Sequence, residues 1–314
     1  MSDIKTAAEL LMTHDCFHIL LHAYPDGDTI GSGFALCQAL RSLGKKANVI
    51  CSHKIPKAYS YITDEYTPQD FEPQTFIAVD VADLHLIGKD GDSYRNKILL
   101  CIEHHAINQK YAKYSIVDPS AAANCEIIVK VIGAMGVKLD RKMAACIYTG
   151  ISTDTGCFKY TNTTASSHRI AADMMEKGID TAEINRIMFD TKSRSRFEIE
   201  RMILDTMEFY FEGRAAVITI TEEMKRLSGT SDGDLEGITS LPRQVEGVLI
   251  GITLRQKDEH TYKVSVRSHA PVDAAELCGK FNGGGHVRAA GCTLTGTLDE
   301  VKAKILSVCG EFLV

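Results

Sequence analysis

Short apolar runs alternate with amphipathic segments through the first half of the chain. Four runs of strand length lie near residues 17–23, 47–51, 75–80 and 98–103, and helices or loops separate them. The runs show little alternation of polar and apolar residues, which is typical of strands that are covered on both faces. The pattern therefore predicts a parallel α/β sheet.

The pattern changes near residue 190. The segment "SRSRFEIERMILDTMEFYFEG" has the spacing of a charged linking helix, whereas "RAAVITITEE" and "TYKVSVRS" alternate like strands of a mixed sheet. A glycine-rich stretch and a terminal helix follow. We therefore predict an α/β protein with a parallel-sheet N-terminal domain over residues 1–190. We predict that a helical linker over residues 191–212 follows this domain. A smaller mixed-sheet α/β C-terminal domain over residues 213–314 comes after the linker.

Composition narrows the class of protein. A chain of 314 residues with 45% hydrophobic and 24% charged residues is typical of a globular protein with two domains. The net charge of −6 argues against a broad, non-specific nucleic-acid surface but allows a local pocket for a small anion. No apolar stretch is long enough for a membrane span, and the N-terminus reads as an amphipathic helix rather than a signal peptide. These features predict a cytoplasmic protein without a membrane partner, and they leave homodimer formation open.

Residues that commonly bind metal ions follow the ends of the predicted strands. "HAYPDGD" follows the first strand, an aspartate ends the third, "EHH" ends the fourth, and "TDTG" follows a helical segment. Because the carboxyl ends of parallel strands meet at one edge of a sheet, we expect these side chains to converge. The candidates are His22, Asp26, Asp28, Asp80, Glu103, His104, His105 and Asp154.

Clustered carboxylates repel one another unless a cation compensates their charge. A mixed set of aspartates and histidines suits Mn²⁺ best, with Mg²⁺, Co²⁺ or Fe²⁺ as alternatives, and the lack of cysteine ligands argues against structural zinc. The candidates exceed the needs of one ion. Two divalent ions about 3.5–4 Å apart can activate a bridging water and hold a phosphoryl group for in-line displacement.

Taken in order, these motifs resemble the DHH superfamily of phosphoesterases, and within it the bacterial nano-RNases, the bifunctional oligoribonuclease and 3′-phosphoadenosine-5′-phosphate phosphatase type. "HAYPDGD", the aspartate of "VDVAD", "EHH" and "TDTGCFKYTNTT" match the four motifs of the first domain. "VSVRS" and "GGGHVRAAG" resemble the DHH-associated domain. The resemblance covers nearly the whole chain and implies an active site in the cleft between the two domains.

The resemblance also implies roles for individual residues. It implies two metal sites that share one bridging carboxylate. The first site comprises His22, Asp26 and Asp80. The second comprises Asp28, Asp80, His104 and Asp154.

The resemblance also implies residues that bind the substrate or support the metal ligands. His105 is expected to face the substrate phosphate, and Glu103, which stands where the family motif has aspartate, is expected to support its neighbours. The other end of the substrate is assigned to Arg267, Ser268 and His286, with backbone N–H groups from Gly284 and Gly285.

The favoured interpretation is a metal-dependent phosphodiesterase and phosphomonoesterase that acts as an exoribonuclease on dinucleotides and other very short oligonucleotides, and on 3′-phosphoadenosine 5′-phosphate. One alternative is a phosphodiesterase for linear or cyclic di-adenylate, and hydrolysis of polyphosphate or pyrophosphate ranks below it. A non-catalytic nucleotide-binding regulatory module is the alternative outside the enzymes. The acidic chain has no tryptophan, which disfavours a long single-strand track.

Overall fold

A computed structural model describes residues 2–230, 235 and 237–313. The chain divides into two compact units, Met1–Thr191 and Lys192–Val314. Each unit has its own sheet and its own hydrophobic core. Within the described ranges, no helix is sufficiently long and apolar to cross a bilayer.

The N-terminal unit is built on a five-stranded, all-parallel sheet, which confirms the predicted fold class. In chain order the strands are β1 Phe17–Leu20, β2 Ala47–Ile50, β3 Thr75–Val79, β4 Ile98–Glu103 and β5 Tyr114–Val117. Their order in the sheet is β2-β1-β3-β4-β5. The hydrophobic pattern did not predict β5, because it is an edge strand in which only Ile116 is buried.

In the described part of this unit the α-helices are α1 Ser2–Thr13, α2 Gly27–Ser42, α3 Ser60–Thr63, α4 Cys125–Ala134, α5 Arg141–Asp154, α6 Ala165–Met175 and α7 Thr181–Asn185. Side-chain caps define where several of them begin. Asp140 accepts a hydrogen bond from the Met143 amide at 2.8 Å at the start of α5, and Thr164 and Ser167 form a capping box at the start of α6. These caps satisfy backbone N–H groups in the first turns of α5 and α6.

The C-terminal unit contains a mixed sheet, as predicted, and the sheet has six strands. Its strands are β6 Glu208–Tyr210, β7 Ala215–Ile220, β8 Ile250–Asp258, β9 Thr261–Ser268, β10 Gly284–His286 and β11 Ala289–Thr295. They are arranged in the order β10-β11-β9-β8-β7-β6, and only the β7–β8 pair is parallel. The helices of this unit are α8 Arg194–Leu204, α9 Glu222–Ser228, α10 Ala274–Gly279 and α11 Leu298–Cys309.

The predicted linking helix is shorter than the charged segment suggests. The α8 helix ends at Leu204, and the residues after it form strand β6, which pairs with β7. Phe211 and Glu212 have φ angles of 53° and 58°, so the chain makes a tight turn between the two strands. Packing of Phe211 against the C-terminal core favours this hairpin over continued helix.

Candidate metal centre and anion-binding residues

The loop after β1 brings His22 and Asp26 to the carboxyl edge of the parallel sheet. Asp26 is the N-cap of α2, and its Oδ1 accepts hydrogen bonds from the Asp28 and Thr29 amides, both at 3.1 Å. The Nε2 atom of His22 lies 3.5 Å from the same oxygen. Burial opposes ionisation of Asp26, but the His22 contact and the helix amides outweigh it, so the pKa of Asp26 lies below its ordinary value.

Asp80 lies at the centre of the cluster, immediately after β3. Its φ of 57° is in the left-handed region, which is uncommon for residues other than glycine but which aspartate adopts more readily than most residues. Its Oδ2 is 3.8 Å from His22 Nε2, and its Oδ1 is 3.5 Å from His104 Nε2. The two oxygens of one carboxylate therefore face two different histidines.

His104 links Asp80 to two further carboxylates. Its Nε2 lies 3.4 Å from Asp154 Oδ2 and 3.7 Å from Asp28 Oδ2. Its Nδ1 is 3.2 Å from the carbonyl oxygen of Ala121, to which it donates a hydrogen bond. Since that bond places the proton on Nδ1, the lone pair of Nε2 is directed at the cluster, as a metal-binding histidine requires.

Asp28 is fully buried and is held by the N-terminus of α4. Its Oδ2 accepts from the Asn124 amide at 2.5 Å, and its Oδ1 accepts from the Cys125 amide at 2.9 Å. Close packing also depends on Gly150 of α5, where a β-carbon would lie 2.7 Å from Asp28 Oδ1. The sequence alone does not indicate these two amides, because backbone donors carry no side-chain signal.

Glu103 and His105 form a tightly hydrogen-bonded pair. Glu103 Oε1 lies 2.7 Å from His105 Nδ1, and Glu103 Oε2 accepts from the His105 amide at 2.5 Å. Burial opposes ionisation of Glu103, but the bonds from His105 outweigh it and lower the pKa of the carboxyl group. The same hydrogen bond raises the pKa of His105. Glu103 is fully buried, whereas His105 is exposed and also lies 3.7 Å from Asp80.

The donor set fits divalent cations. Three groups each bring their ligand atoms within 4.8 Å of one another: His22, Asp26 and Asp80; Asp28, His104 and Asp154; and Asp80, His104 and His105. The separations of 3.4–3.8 Å between carboxylate and imidazole atoms are longer than the usual hydrogen-bond length of about 2.7–3.2 Å. Among the described residues, buried Asp80 Oδ1 and His104 Nε2 have no hydrogen-bond partner.

The electrostatics of the cluster favour binding of a cation. Burial and then the neighbouring carboxylates raise the pKa of Asp80 well above its ordinary value. Burial, followed by the charges of Asp28, Asp26 and Glu103, raises the pKa of Asp154 to about 9. Carboxylates held this close are stable in the ionised form only with bound cations.

The residues predicted to bind the far end of the substrate lie in the C-terminal unit. Arg267 is half-buried near the end of β9, and its Nη1 donates to the Val266 carbonyl at 3.1 Å. Ser268 is fully buried, and its hydroxyl lies 2.9 Å from the Val272 carbonyl and 3.2 Å from the Val287 carbonyl. Contact of these two residues with a substrate stays a prediction.

Gly284, Gly285 and His286 form the short strand β10 and are all exposed. β10 is an edge strand of the sheet, paired with β11 on one side. Gly285 has a φ of 147°, and a β-carbon there would lie 2.5 Å from the carbonyl oxygen of Ala289, so the position requires glycine. Binding of an anion at these residues also stays a prediction.

Two family models match the two units. Residues 17–151 match the DHH family, N-terminal domain. Residues 216–313 match the DHHA1 domain. Every candidate metal ligand except Asp154 lies within the first match, and all the candidate anion-binding residues lie within the second.

Full-length relatives are similar over nearly the whole chain. The protein named bifunctional oligoribonuclease and PAP phosphatase NrnA in Thermus thermophilus is 33% identical over 304 residues, which cover 94% of this chain and 90% of that protein. The protein of the same name in Bacillus subtilis is 26% identical, covering 96% of this chain and 98% of the relative. The crystal structure of an exopolyphosphatase-related protein from Bacteroides fragilis is 27% identical, with a TM-score of 0.87 and coverage of 99% and 96%.

Proposed function

The chain belongs to the DHH family, and from that premise we propose that it is a metal-dependent phosphoesterase. Its substrates are short oligonucleotides and 3′-phosphoadenosine 5′-phosphate. The observation that carries the proposal is the partly buried cluster of carboxylates and histidines at the carboxyl edge of the parallel sheet. The names of the relatives from Thermus thermophilus and Bacillus subtilis support this substrate class.

We assign two Mn²⁺ ions to the cluster, because aspartate and histidine ligands together suit that ion. His22, Asp26 and Asp80 would hold one ion, and Asp28, Asp80, His104 and Asp154 would hold the other. When bound, divalent ions lower the pKa of water and neutralise charge on phosphoryl oxygens. The grouping of the ligand atoms supports this division, since Asp80 faces both histidines.

The chain orients these ligands before any substrate arrives. The Asn124 and Cys125 amides hold Asp28. The Ala121 carbonyl sets the tautomer of His104. Such fixed groups need no reorganisation during the reaction, which lowers the barrier for charge development on the phosphate.

His105 binds the phosphate that is attacked. Glu103 fixes the ring through Nδ1, so Nε2 is the nitrogen that remains for the substrate. The raised pKa of His105 supports this role, because a protonated imidazole stabilises negative charge on phosphoryl oxygens. In the C-terminal unit, Arg267, His286 and the amides of Gly284 and Gly285 bind a second anionic group of the substrate.

A substrate panel tests the proposal. The purified protein is incubated with di- to pentanucleotides, 3′-phosphoadenosine 5′-phosphate, linear and cyclic di-adenylate, and pyrophosphate, with Mn²⁺ or with chelator. We expect release of mononucleotides or phosphate from the short oligonucleotides and 3′-phosphoadenosine 5′-phosphate in Mn²⁺ only. Turnover confined to cyclic di-adenylate or pyrophosphate would contradict the proposed substrate class. Absence of all turnover, together with tight nucleotide binding, would favour a regulatory module.

A further inference from the structure

Basic side chains lie in a row across the C-terminal sheet. His286 faces Ala289 in one pair of strands, and Ala289 faces Arg267 in the next pair. Arg267 in turn faces Gly251 on β8. Residues that face each other in neighbouring strands project from the same side of the sheet. His286 and Arg267 therefore share one face, with only the methyl group of Ala289 between them.

Arg243 lies on this same face. It belongs to the short turn Pro242–Gln244, which packs directly over Gly251: a β-carbon there would be 2.8 Å from the backbone nitrogen of Arg243 and 3.1 Å from its β-carbon. Since Gly251 and Arg267 project from one face, Arg243 and Arg267 are neighbours. The Nη1 atom of Arg243 also donates to the Ser268 carbonyl at 3.4 Å, at the end of β9 next to Arg267.

The two guanidinium groups have no carboxylate partner in the part of the chain that the structure describes. Their side-chain hydrogen bonds go to the carbonyl oxygens of Val266 and Ser268. Burial, and then the positive charge of Arg243, lowers the pKa of Arg267. Two adjacent like charges without a counter-charge raise the energy of the folded protein, and a bound anion reverses this effect.

The inference rests on the proposed function. We propose that Arg243 is a specificity-determining residue which, together with Arg267, binds a terminal phosphomonoester of the nucleotide substrate. A phosphomonoester carries nearly two negative charges at neutral pH, whereas a hydroxyl end carries none. Two guanidinium groups match that charge and offer paired N–H donors to its oxygens. The protein therefore selects short nucleotides that have a phosphorylated end.

Equilibrium binding tests this selection without any turnover. Calorimetry in chelator compares diadenylate that is 5′-phosphorylated, 3′-phosphorylated or unphosphorylated. We expect wild-type protein to bind at least one phosphorylated form more tightly than the unphosphorylated form. Arg243→Gln should weaken that binding by about 10- to 100-fold and change binding of the unphosphorylated form by less than about twofold. Equal loss for both forms, or no phosphate preference in wild type, would overturn the inference.

A matched control separates a local contact from a general loss of charge. Arg226 lies exposed on α9 of the same unit and pairs with Glu223. Arg226→Gln removes the same charge and should leave all three affinities unchanged. Arg243→Lys keeps the charge but not the planar fork, so it should bind phosphorylated diadenylate with intermediate affinity. This variant also provides the test if the glutamine variant does not fold.

A double-mutant cycle asks whether both arginines bind one phosphate. Arg267→Gln should reduce binding of phosphorylated diadenylate strongly in wild type but much less in the Arg243→Gln background. Additive losses would show that the two arginines act on separate groups and would overturn the shared site. Binding and hydrolysis distinguish failure of this inference from failure of the proposed function. Absence of hydrolysis with Mn²⁺ would contradict the proposed function but not the inference. Normal hydrolysis with an unchanged end preference in Arg243→Gln contradicts this inference alone.

Discussion

The Oδ1 atom of Asp80 lies 3.5 Å from the Nε2 atom of His104, and neither buried atom has a hydrogen-bond partner among the described residues. A buried carboxylate and a buried imidazole would ordinarily approach to hydrogen-bonding distance if they served only to stabilise the fold. Their spacing instead suits two ligands of one cation. The proposed mechanism depends on this relationship.

Removal of the Asp80 carboxylate should abolish turnover without unfolding the protein. β3 is held in the sheet by apolar residues such as Ile77, so Asp80→Ala should keep the fold. We expect a rate loss of about 10³-fold or more, because both assigned ions lose a shared ligand. Steady-state assays on a dinucleotide, with calorimetric titration of Mn²⁺, measure both effects. Activity within about tenfold of wild type would refute the bridging role.

Replacement of Glu103 tests the carboxylate that differs from the family motif. Glu103→Ala frees the His105 ring and leaves its amide without an acceptor, so we expect activity to fall by about 10- to 100-fold. Glu103→Asp keeps the charge and should keep or modestly raise activity. The assay compares kcat and Mn²⁺ affinity for both variants. An alanine variant equal to wild type in both quantities would show that Glu103 has no supporting role.

Replacement of the Asp154 carboxylate by a neutral amide should raise the unfolding temperature of the metal-free protein. Burial and the repulsion of neighbouring carboxylates force Asp154, whose ordinary pKa is 3.8, to be protonated in the folded protein without metal. Asp154→Asn removes this cost, so the chelator-treated variant should unfold about 2–4 °C above chelator-treated wild type near neutral pH. Added Mn²⁺ should then raise its unfolding temperature less than that of wild type. Asp173→Asn, on the exposed part of α6, is the control and should shift neither value. A chelator-treated Asp154→Asn protein less stable than wild type would contradict the repulsion argument.

Stability without metal should fall as the pH rises. The folded-state pKa of Asp154 is about 9, against an ordinary value of 3.8, and the pKa of Asp80 is also raised. Between those values the folded protein binds more protons than the unfolded chain, so the free energy of unfolding decreases with pH. Chelator-treated protein should therefore unfold at a lower temperature near about pH 9 than near about pH 6. A rising unfolding temperature over that interval would contradict the assigned shifts.

A comparison of two substrates tests whether residues of the C-terminal unit bind the second anionic group of the substrate. Arg267→Ala and His286→Ala should weaken cleavage of short nucleotides that carry a second phosphate, by about 1.5–3 kcal/mol in kcat/KM. They should spare bis-p-nitrophenyl phosphate, which has no second anionic group. Equal losses on both substrates would mean that the residues support the fold or the metal centre instead.

The candidate ligands could be predicted from the sequence because the carboxyl ends of parallel strands lie at the same edge of a sheet. Apolar runs marked β1, β3 and β4, and the carboxylates and histidines after them had to meet at one sheet edge. The structure brings the six candidate metal ligands and His105 into three overlapping groups. The functional roles assigned to them stay predictions. The C-terminal end of α8 could not be predicted from the charged segment alone. The residues after Leu204 form β6, and this strand depends on pairing with β7, which lies outside that segment.

By itself the sequence determined the α/β class, the two-part organisation and the chemical character of the cluster, since these depend on local periodicity and residue type. Only the tertiary structure decided that the Asn124 and Cys125 amides orient Asp28, and that Arg243 lies beside Arg267. Backbone donors have no side-chain signature. Strand register and turn packing join residues that are distant along the chain, and no local pattern encodes which of them meet.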